Sequence, residues 1–317
     1  MITVQGVTKR YKDLKAVSDL NFSIEKGEIV GLLGQNGAGK TTCMKIITGY
    51  LEPSSGTVTV DGQDVIDQRR QVQRKVGYLP ENAPLYPEMY VEEYLNFMAE
   101  LRGLKGKNRR AAIEEALEST GLTDRRRQEI STLSKGYKQR VGLAQAIIHK
   151  PSILILDEPT NGLDPVQIQE IRALIKRLAQ NTTILLSTHI LSEIEAVCDR
   201  VVILIDGELA SDSTLEELLS SSSIKLKLKN AEDVPSTLVE QFEEIDSVQA
   251  IGQDSLGFDM YQVKPKEDVD PSTLIPRLAA EVLRLGWVLG GLDVEAQSLE
   301  VAFRELMVDH VERVLNT

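Results

Sequence analysis

The sequence has few cysteines, no long apolar run and fewer basic than acidic residues. Its 317 residues include only Cys43 and Cys198, which lie far apart and indicate neither a disulfide framework nor a metal site. Apolar runs such as Val201–Ile205 are too short to span a bilayer, and residues 1–20 carry charges throughout. We therefore expect a protein of a reducing compartment, with no signal peptide and no direct membrane insertion.

The charge of the chain is acidic and unevenly distributed. It contains 48 Asp and Glu against 36 Lys and Arg, a formal net charge of −12. Most of this excess falls in residues 224–317, so the preceding part is nearly neutral and can hold a local anion site. Because an acidic surface repels phosphates and anionic lipids, we expect no nucleic-acid partner.

Short apolar runs rich in β-branched residues recur between helical stretches. Continuous runs, typical of a parallel sheet covered on both faces, occupy Ile29–Leu33, Ile153–Leu156, Ile184–Leu186 and Val201–Ile205. Alternating runs, typical of edge or antiparallel strands, occupy Ile2–Val7, Leu20–Ile24 and Thr57–Val60. Between about residues 85 and 150 the apolar residues recur at helical spacing, which predicts a helical insertion in an α/β core.

A serine run, Ser220–Ser223, predicts a linker between two domains. After it, strand and helix patterns follow in the order β-α-β-β-α-β, which is typical of a ferredoxin-like domain. The expected strands are Ile224–Lys229, Val248–Ile251, Phe258–Val263 and Val288–Val294, and the expected helices are Ser236–Glu244 and Pro271–Leu285. A length of 317 residues fits two domains, which we place at 1–220 and 224–317.

A glycine-rich segment follows the strand Ile29–Leu33 and precedes a helical stretch at Thr41–Thr48. Residues 34–41 read G-Q-N-G-A-G-K-T, which fits the phosphate-loop pattern G-x-x-x-x-G-K-[ST]. The glycines allow the backbone to wrap a phosphate, and the helix N-terminus favours an anion. We expect Lys40 to reach the β- and γ-phosphates of a nucleotide and Thr41 to bind Mg²⁺.

Polar residues end two of the predicted sheet strands. Asp157 and Glu158 follow Ile153–Leu156, and His189 lies just after Ile184–Leu186. Because ligands of open α/β sheets bind beyond the carboxyl ends of the strands, these side chains are candidates for one site. We expect Asp157 to hold Mg²⁺ through water, Glu158 to polarise an attacking water and His189 to contact the γ-phosphate.

Further motifs make the chain resemble the ATP-binding cassette (ABC) ATPases. Residues 133–137 read L-S-K-G-Y, similar to the family signature L-S-G-G-Q, and residues 156–165 read L-D-E-P-T-N-G-L-D-P, which joins the acidic strand to the family's D-loop. His189 matches the switch histidine, and Tyr11 lies where the family places an aromatic that stacks on adenine. The motifs follow the family order over residues 1–220. Within the family, the chain is similar to the ATP-binding subunits of ABC-2-type exporters, including the gliding-motility group.

The resemblance implies a P-loop NTPase fold, a RecA-like core with an antiparallel β subdomain and a helical subdomain at about 85–150, followed by a small α+β domain. It implies an ATPase whose cofactors are ATP and Mg²⁺. Motifs and resemblance together give as catalytic residues Lys40, Glu158 and His189, and as metal-binding residues Thr41, Glu81 and Asp157. They give as nucleotide-binding residues Tyr11, Gly34, Asn36, Gly37, Ala38, Gly39, Lys40, Thr41, Thr42, Ser134, Gly136 and Asp164.

The resemblance also implies an assembly. Two cassettes, as a homodimer or with a second cassette, are expected to dimerise head to tail around two ATP molecules. Ser134 and Gly136 of each chain would contact the ATP held by the phosphate loop of the other. ATP would close this dimer and hydrolysis would reopen it, driving an integral-membrane permease. The chain would then lie on the cytoplasmic face of the membrane, held there by the permease.

The chain departs from the family pattern at three positions. Lys135 and Tyr137 replace glycine and glutamine of the signature, while Ser134 and Gly136 are retained, so we expect a working site. Glu81 stands where the family has glutamine. A carboxylate there can still meet Mg²⁺ or its water, but it adds negative charge close to the other acids.

Two other functions are compatible with a cassette. A soluble ATPase acting on nucleic acid or ribosomes is disfavoured by the acidity, by the single cassette, and by a stretch between Lys40 and Ser134 too short for long coiled coils. A regulatory cassette without hydrolysis is disfavoured because Lys40, Asp157, Glu158 and His189 are all present.

By resemblance, the permease docks in a groove lined by the segment that follows Glu81. Residues 82–90, which we call the docking segment, read N-A-P-L-Y-P-E-M-Y and are unusually apolar for a loop. The apolar side chains are Leu85, Tyr86, Met89 and Tyr90. They either remain exposed for a partner or fold back onto the helix predicted at 91–101.

Overall fold

The computed structural model describes residues 1–220, 222–231, 233–266, 269–296 and 298–315. The chain divides into two compact units, the first comprising residues 1–215 together with the residues from 306 onward, and the second comprising residues 216–305. Parts of the predicted linker and C-terminal domain lie outside the described residues, namely 221, 232, 267, 268, 297, 316 and 317. Within the described ranges, no helix is both long and apolar enough to cross a bilayer.

The first unit is built on two β-sheets. Their strands, in chain order, are β1 (Ile2–Tyr11), β2 (Leu14–Ile24), β3 (Ile29–Leu33), β4 (Ser55–Val60), β5 (Gln63–Asp64), β6 (Val76–Leu79), β7 (Ile153–Asp157), β8 (Thr183–Thr188), β9 (Arg200–Ile205) and β10 (Glu208–Thr214). One sheet is antiparallel, in the order β2-β1-β4-β5. The other has the order β10-β9-β3-β8-β7-β6 and is parallel except for β10.

The parallel sheet is buried because its strands are continuously apolar. Every residue of β3, β7 and β8 is buried, as expected for strands covered on both faces. Strand β1, by contrast, alternates between buried and more exposed residues, which is the pattern of a sheet with one covered face. The two strand patterns predicted from the sequence are therefore confirmed.

Helices cover the parallel sheet, and a separate group forms a helical subdomain. The helices that precede the second unit's strands are α1 (Lys40–Ile47), α2 (Arg69–Lys75), α3 (Val91–Leu101), α4 (Gly106–Thr120), α5 (Lys135–Ile147), α6 (Pro165–Ala179), α7 (Leu191–Val197) and α8 (Leu215–Ser220). Helices α3, α4 and α5 pack on one another around their own apolar cluster, which includes Leu95, Leu117 and Val141. Each contributes buried side chains from one stripe, so burial of these stripes holds the subdomain together.

The second unit has the predicted β-α-β-β-α-β order. Its elements are β11 (Ser222–Lys229), α9 (Val234–Gln241), β12 (Ile245–Gln253), β13 (Asp259–Pro265), α10 (Pro271–Arg284) and β14 (Val288–Ala296), and α11 (Leu299–Leu315) follows. The sheet is antiparallel in the order β12-β13-β11-β14, the ferredoxin-like arrangement. Ile224, Leu226 and Leu228 of β11 share a core with the buried face of α10.

Two local expectations for this unit were wrong. The serine run does not form a loop throughout, because β11 already begins at Ser222 and both Ser222 and Ser223 pair with β14. Helix α9 ends at Gln241 rather than near residue 244, because Phe242 leaves the helix in an extended conformation and is buried.

Candidate active site

A cleft opens where the carboxyl ends of β3, β7 and β8 lie side by side. The parallel register pairs Leu33 with Thr188 and Asp157 with Ser187, so the segments that follow these strands meet at one edge. The cleft has a volume of about 790 Å³ and is lined by Tyr11, Leu14, Lys15, Ala16, Asn36, Gly37, Gly39, Lys40, Thr41, Thr42, Glu81, Glu158, Asn161, His189 and Asp206. The predicted site residues Tyr11, Glu81, Glu158 and His189 thus converge on the phosphate loop, which also contains Gly34 and Ala38.

The phosphate loop depends on glycine at two points that need different explanations. Gly39 has φ = +96°, and a Cβ there would lie 2.6 Å from the carbonyl oxygen of Ala16, so conformation and space both exclude a side chain. Gly37 has φ = +89° and faces open space, so only its conformation favours glycine. Lys40 begins α1, and its Nζ donates to the carbonyl oxygens of Gly34 (2.7 Å) and Gln35 (3.2 Å).

Asp157 is held by two hydroxyl groups and keeps one oxygen without a partner. Thr41 Oγ1 donates to Asp157 Oδ1 over 3.2 Å, and Ser187 Oγ donates to the same atom over 2.6 Å. Asp157 Oδ2 is buried and lacks a hydrogen-bond partner among the described residues. A hydroxyl and a carboxylate are ligands that Mg²⁺ prefers, and an orphaned carboxylate oxygen is expensive to bury. The residues present therefore fit Mg²⁺.

Glu81 lies on the rim of the cleft and is exposed. Its Oε1 accepts a hydrogen bond from Asn161 Nδ2 over 3.0 Å. In the part of the chain that is described, no three or more His, Cys, Asp or Glu side chains cluster as a metal site. Because Mg²⁺ commonly takes one or two carboxylates and completes its shell with water and substrate phosphates, a nucleotide would have to supply the remaining ligands.

Glu158 combines a strained backbone with a carboxylate held between two basic side chains. Its φ of +49° is rare for a residue other than glycine and costs about 1–3 kcal/mol. Its backbone N–H donates to Ser187 Oγ over 3.0 Å. The buried carboxylate lies 3.5 Å from Lys40 Nζ through Oε1 and 2.9 Å from His189 Nδ1 through Oε2. Strain held in place by neighbouring contacts is common at catalytic residues.

Several residues of this network were not predicted from the sequence. Ser187 holds Asp157 and the Glu158 amide, Thr188 Oγ1 donates to Glu193 Oε2 over 2.7 Å, and Thr160 Oγ1 donates to Glu193 Oε1. Ser187 and Thr188 could have been found from the sequence, because residues 187–189 are a run of three polar residues at the end of a buried strand. Only His189 of this run was predicted as a site residue. Glu193 gave no signal, because a glutamate on a short helix is usually exposed.

The signature residues lie on a different surface from the cleft. Ser134 caps α5, accepting from the backbone N–H of Tyr137 over 3.4 Å. Asp164 caps α6 by accepting from two backbone N–H groups in its first turn. Gly136 and Asp164 line a separate cavity of about 570 Å³ between the two helix starts. Within one chain, these three predicted residues are therefore not brought to the phosphate loop.

Tyr11 and Leu14 lie at the open end of the cleft, where β1 turns into β2. Their side chains are 46% and 66% exposed, which is unusual for apolar residues that line a pocket. Lys9 Nζ lies 5.5 Å from the centroid of the Tyr11 ring. The turn thus presents an aromatic face suited to a planar base.

The apolar side chains of the docking segment divide into two groups. Leu85 and Met89 are partly buried against the helical core of α3, α4 and α5. Tyr86 and Tyr90 remain 48% and 53% exposed. The ring of Tyr86 packs edge-on against two aromatic rings of α3, with centroids 6.0 and 5.8 Å away. Folding back is therefore correct for Leu85 and Met89, while the tyrosines stay accessible.

The chain is similar in sequence to a known protein family and to curated proteins. Residues 17–161 match the family described as ABC transporter. The chain is 40% identical over 227 residues to the ABC transporter ATP-binding protein NatA of Bacillus subtilis (strain 168), covering 70% of this chain and 92% of NatA. It is 40% identical over 220 residues to the bacitracin transport ATP-binding protein BcrA of Bacillus licheniformis, covering 69% of this chain and 71% of BcrA.

Two solved structures are similar in fold. One is an ATP-binding subunit of an ABC transporter, with a TM-score of 0.63 and 33% identity, covering 69% of this chain and 92% of that chain. The other is the dimeric ATP-binding cassette MJ0796 in a post-hydrolysis state with ADP and Pi, with a TM-score of 0.63 and 28% identity. That match covers 68% of this chain and 99% of the cassette.

Proposed function

The chain belongs to the family of ABC transporter ATP-binding proteins, and on this premise we propose that it hydrolyses ATP in the cleft to power a separate integral-membrane permease. The observation that carries the proposal is the buried carboxylate of Glu158, held between Lys40 and His189 at the end of a buried strand. We take the cassette as residues 1–220, with its helical subdomain at about 85–150, and the accessory domain as residues 224–317, of which the residues from 306 onward group with the first compact unit.

The phosphates of ATP bind at the loop between β3 and α1. There the glycine-rich backbone and the N-terminus of α1 favour an anion. Lys40 now faces two loop carbonyls and Glu158, and the β- and γ-phosphates compete for its ammonium group. Once Lys40 turns to the phosphates, Glu158 Oε1 is free to accept a proton from the attacking water, while His189 contacts the γ-phosphate.

Mg²⁺ would be held by the hydroxyl of Thr41 directly and by Asp157 through water, with Glu81 meeting the ion or its water. When bound, the ion neutralises charge on the phosphates. Ser187 orients Asp157 by donating to Oδ1, which leaves the buried Oδ2 without a hydrogen-bond partner among the described residues and able to accept from a water on the ion. The chain itself thus fixes the orientation of the Asp157 carboxylate beside the phosphate loop.

A second cassette completes the site. Ser134, Gly136 and Asp164 lie away from the cleft of their own chain, at the starts of α5 and α6. We place them against the ATP of a partner in a head-to-tail dimer, either of two copies or with another cassette. The N-terminus of α5 then faces the γ-phosphate, which favours closure only while ATP is intact.

The permease docks on the docking segment, where Tyr86 and Tyr90 are exposed. Aromatic residues are enriched at the cores of protein interfaces, and a patch next to Glu81 lies close to the nucleotide. The partner is the membrane subunit of an ABC-2-type exporter. The protein therefore works on the cytoplasmic face of the membrane, attached through that subunit.

The experiment is co-expression of the tagged chain with the membrane protein encoded beside its gene. We expect the two to co-purify and, in vesicles, to give ATP-dependent export that Glu158→Gln abolishes without affecting assembly. An active ATPase that purifies without any integral-membrane protein would overturn the transport role.

A further inference from the structure

A buried carboxylate connects two segments of the active site. Glu193 lies on α7 and is only 3% exposed. One carboxylate oxygen accepts from Thr188, the residue before His189, and the other accepts from Thr160, two residues after Glu158. Both catalytic segments are therefore attached to one side chain that does not line the cleft.

On the His189 side, Glu193 orients a hydroxyl that shapes the turn. Thr188 Oγ1 donates to Glu193 Oε2 and also accepts from the backbone N–H of Ile190 over 3.0 Å. Because the hydroxyl proton is committed to the carboxylate, the oxygen lone pairs remain for that N–H. The peptide that carries His189 is thereby fixed from both ends.

On the Glu158 side, the bond to Thr160 closes a strained turn. Glu158 has its φ at +49°, and its carbonyl oxygen accepts from the backbone N–H of Asn161 over 3.1 Å. A strained conformation persists only when surrounding contacts determine it. The Thr160 hydroxyl, anchored on α7 through Glu193, supplies such a contact from another element.

A purely structural role is a poor explanation for a carboxylate at this position. The neighbouring α7 residues Ile194 and Val197 are buried and apolar, so the helix could be anchored by a further apolar side chain. Burying a carboxylate carries a desolvation cost that hydrogen bonds must offset. A carboxylate can accept hydrogen bonds from the hydroxyls of Thr160 and Thr188 at once, and an apolar side chain can accept neither.

We propose that Glu193 is a positioning residue for hydrolysis: through Thr188 and Thr160 it holds Glu158 and His189 at the 2.9 Å separation seen between their side chains. The proposal rests on the proposed function, in which Glu158 acts on the attacking water. A displacement of about 1 Å at a catalytic group can cost about 10²-fold in rate. Glu193 therefore affects kcat and leaves ATP binding unchanged.

The test is steady-state ATP hydrolysis by the full chain with Glu193→Leu, Glu193→Gln and Thr160→Val. We expect Glu193→Leu to lower kcat by about 10²-fold while KM changes less than about twofold. Glu193→Gln keeps one acceptor and should restore part of kcat. Thr160→Val removes one hydroxyl and keeps the shape, so it should lower kcat with KM unchanged. Glu195→Leu, at an exposed position of α7, is the matched control and should keep wild-type kcat.

The outcomes separate this inference from the function on which it rests. Wild-type kcat in both folded Glu193→Leu and Thr160→Val overturns it, as does a rise in KM with kcat unchanged. If Glu193→Leu does not fold, Thr160→Val alone decides. Glu158→Gln is measured beside them. If Glu158→Gln keeps wild-type turnover, the proposed role of Glu158 fails. If Glu158→Gln is inactive while the Glu193 and Thr160 variants are fully active, only the role of Glu193 fails.

Discussion

In our proposal, the ring face of Tyr11 stacks on the base at the open end of the cleft. Its side chain is about half exposed in the free protein and lies beside Lys9. Tyr11→Ala should weaken ATP binding by about 1–3 kcal/mol, the usual value of one base–aromatic stack, and Tyr11→Phe should be nearly silent. Because stacking tolerates any base, GTP should also bind. Titration calorimetry measures each affinity, and an unchanged ATP affinity in Tyr11→Ala would place the base elsewhere.

His149 gives the fold a predictable response to acid. Burial, with the nearby charge of Arg102, lowers the pKa of His149 to about 4, although its Nε2 lies 3.1 Å from the Val76 carbonyl oxygen. The folded pKa is below the unfolded value of about 6.5, so the unfolded chain binds the proton more readily. The contribution of neutral His149 to the free energy of unfolding is therefore complete above pH 6.5 and is lost as the pH falls towards 4.

The corresponding measurement is urea unfolding of the wild type and of His149→Gln between pH 7.5 and 4. As the pH falls, we expect the wild type to lose about 2–3 kcal/mol more unfolding free energy than His149→Gln loses. A difference that does not vary with pH would show that His149 is accessible to protons in the folded state.

How far single residues could be predicted depends on where their partners lie in the sequence. Lys40, Thr41, Asp157 and Glu158 were predicted because short motifs after buried strands determine which end of the sheet they reach. Glu193 and Thr160 were not, because their contact needs the packing of α7 against a turn far earlier in the chain. No local pattern encodes such a contact.

The docking segment offers a comparison between adjacent residues in one loop. Tyr86 is about half exposed, whereas Leu85 packs against the core of the helical subdomain. Tyr86→Asp should leave the thermal melt nearly normal and block assembly with the permease. Leu85→Asp buries an unpaired charge and should lower stability by about 2 kcal/mol or more. Thermal melts and co-purification with the permease measure the two effects.

Tyr86→Phe is the control for this pair, because it keeps the edge contacts with the aromatic rings of α3. It should fold and assemble normally. If Tyr86→Asp melts and assembles like the wild type, the permease docks elsewhere. If Tyr86→Asp collapses, the residue belongs to the core despite its exposure.

Whole strands were predictable where their apolar pattern was uninterrupted or strictly alternating. The ferredoxin-like order of the second unit followed from alternation and helical spacing, and its sheet order agrees. Strand β6 was missed because Gly77 interrupts its apolar run. A Cβ at Gly77 would lie 2.2 Å from the carbonyl oxygen of Ala146, so close packing of α5 explains the glycine. This contact joins two segments that are far apart in the sequence, so no local sequence pattern predicts it.

In the proposed dimer each ATP is shared by two chains, and this has a consequence for assembly. The cleft contains the phosphate loop, Glu158 and His189, while Ser134 and Gly136 lie at another surface. ATP should therefore join two chains, and ADP should release them, because only intact ATP presents a γ-phosphate to the N-terminus of α5. A variant that binds ATP but cannot hydrolyse it should remain joined.

The most direct measurement is the molar mass of Glu158→Gln by size exclusion with light scattering, in ATP with Mg²⁺ and in ADP, beside its ATPase rate. Turnover should fall by about 10²–10⁴-fold with ATP binding intact. The mass should be that of a dimer in ATP and of a monomer in ADP, and adding Ser134→Arg should abolish the dimer. A monomer in saturating ATP would contradict the shared site, and turnover at the wild-type rate would contradict the role of Glu158.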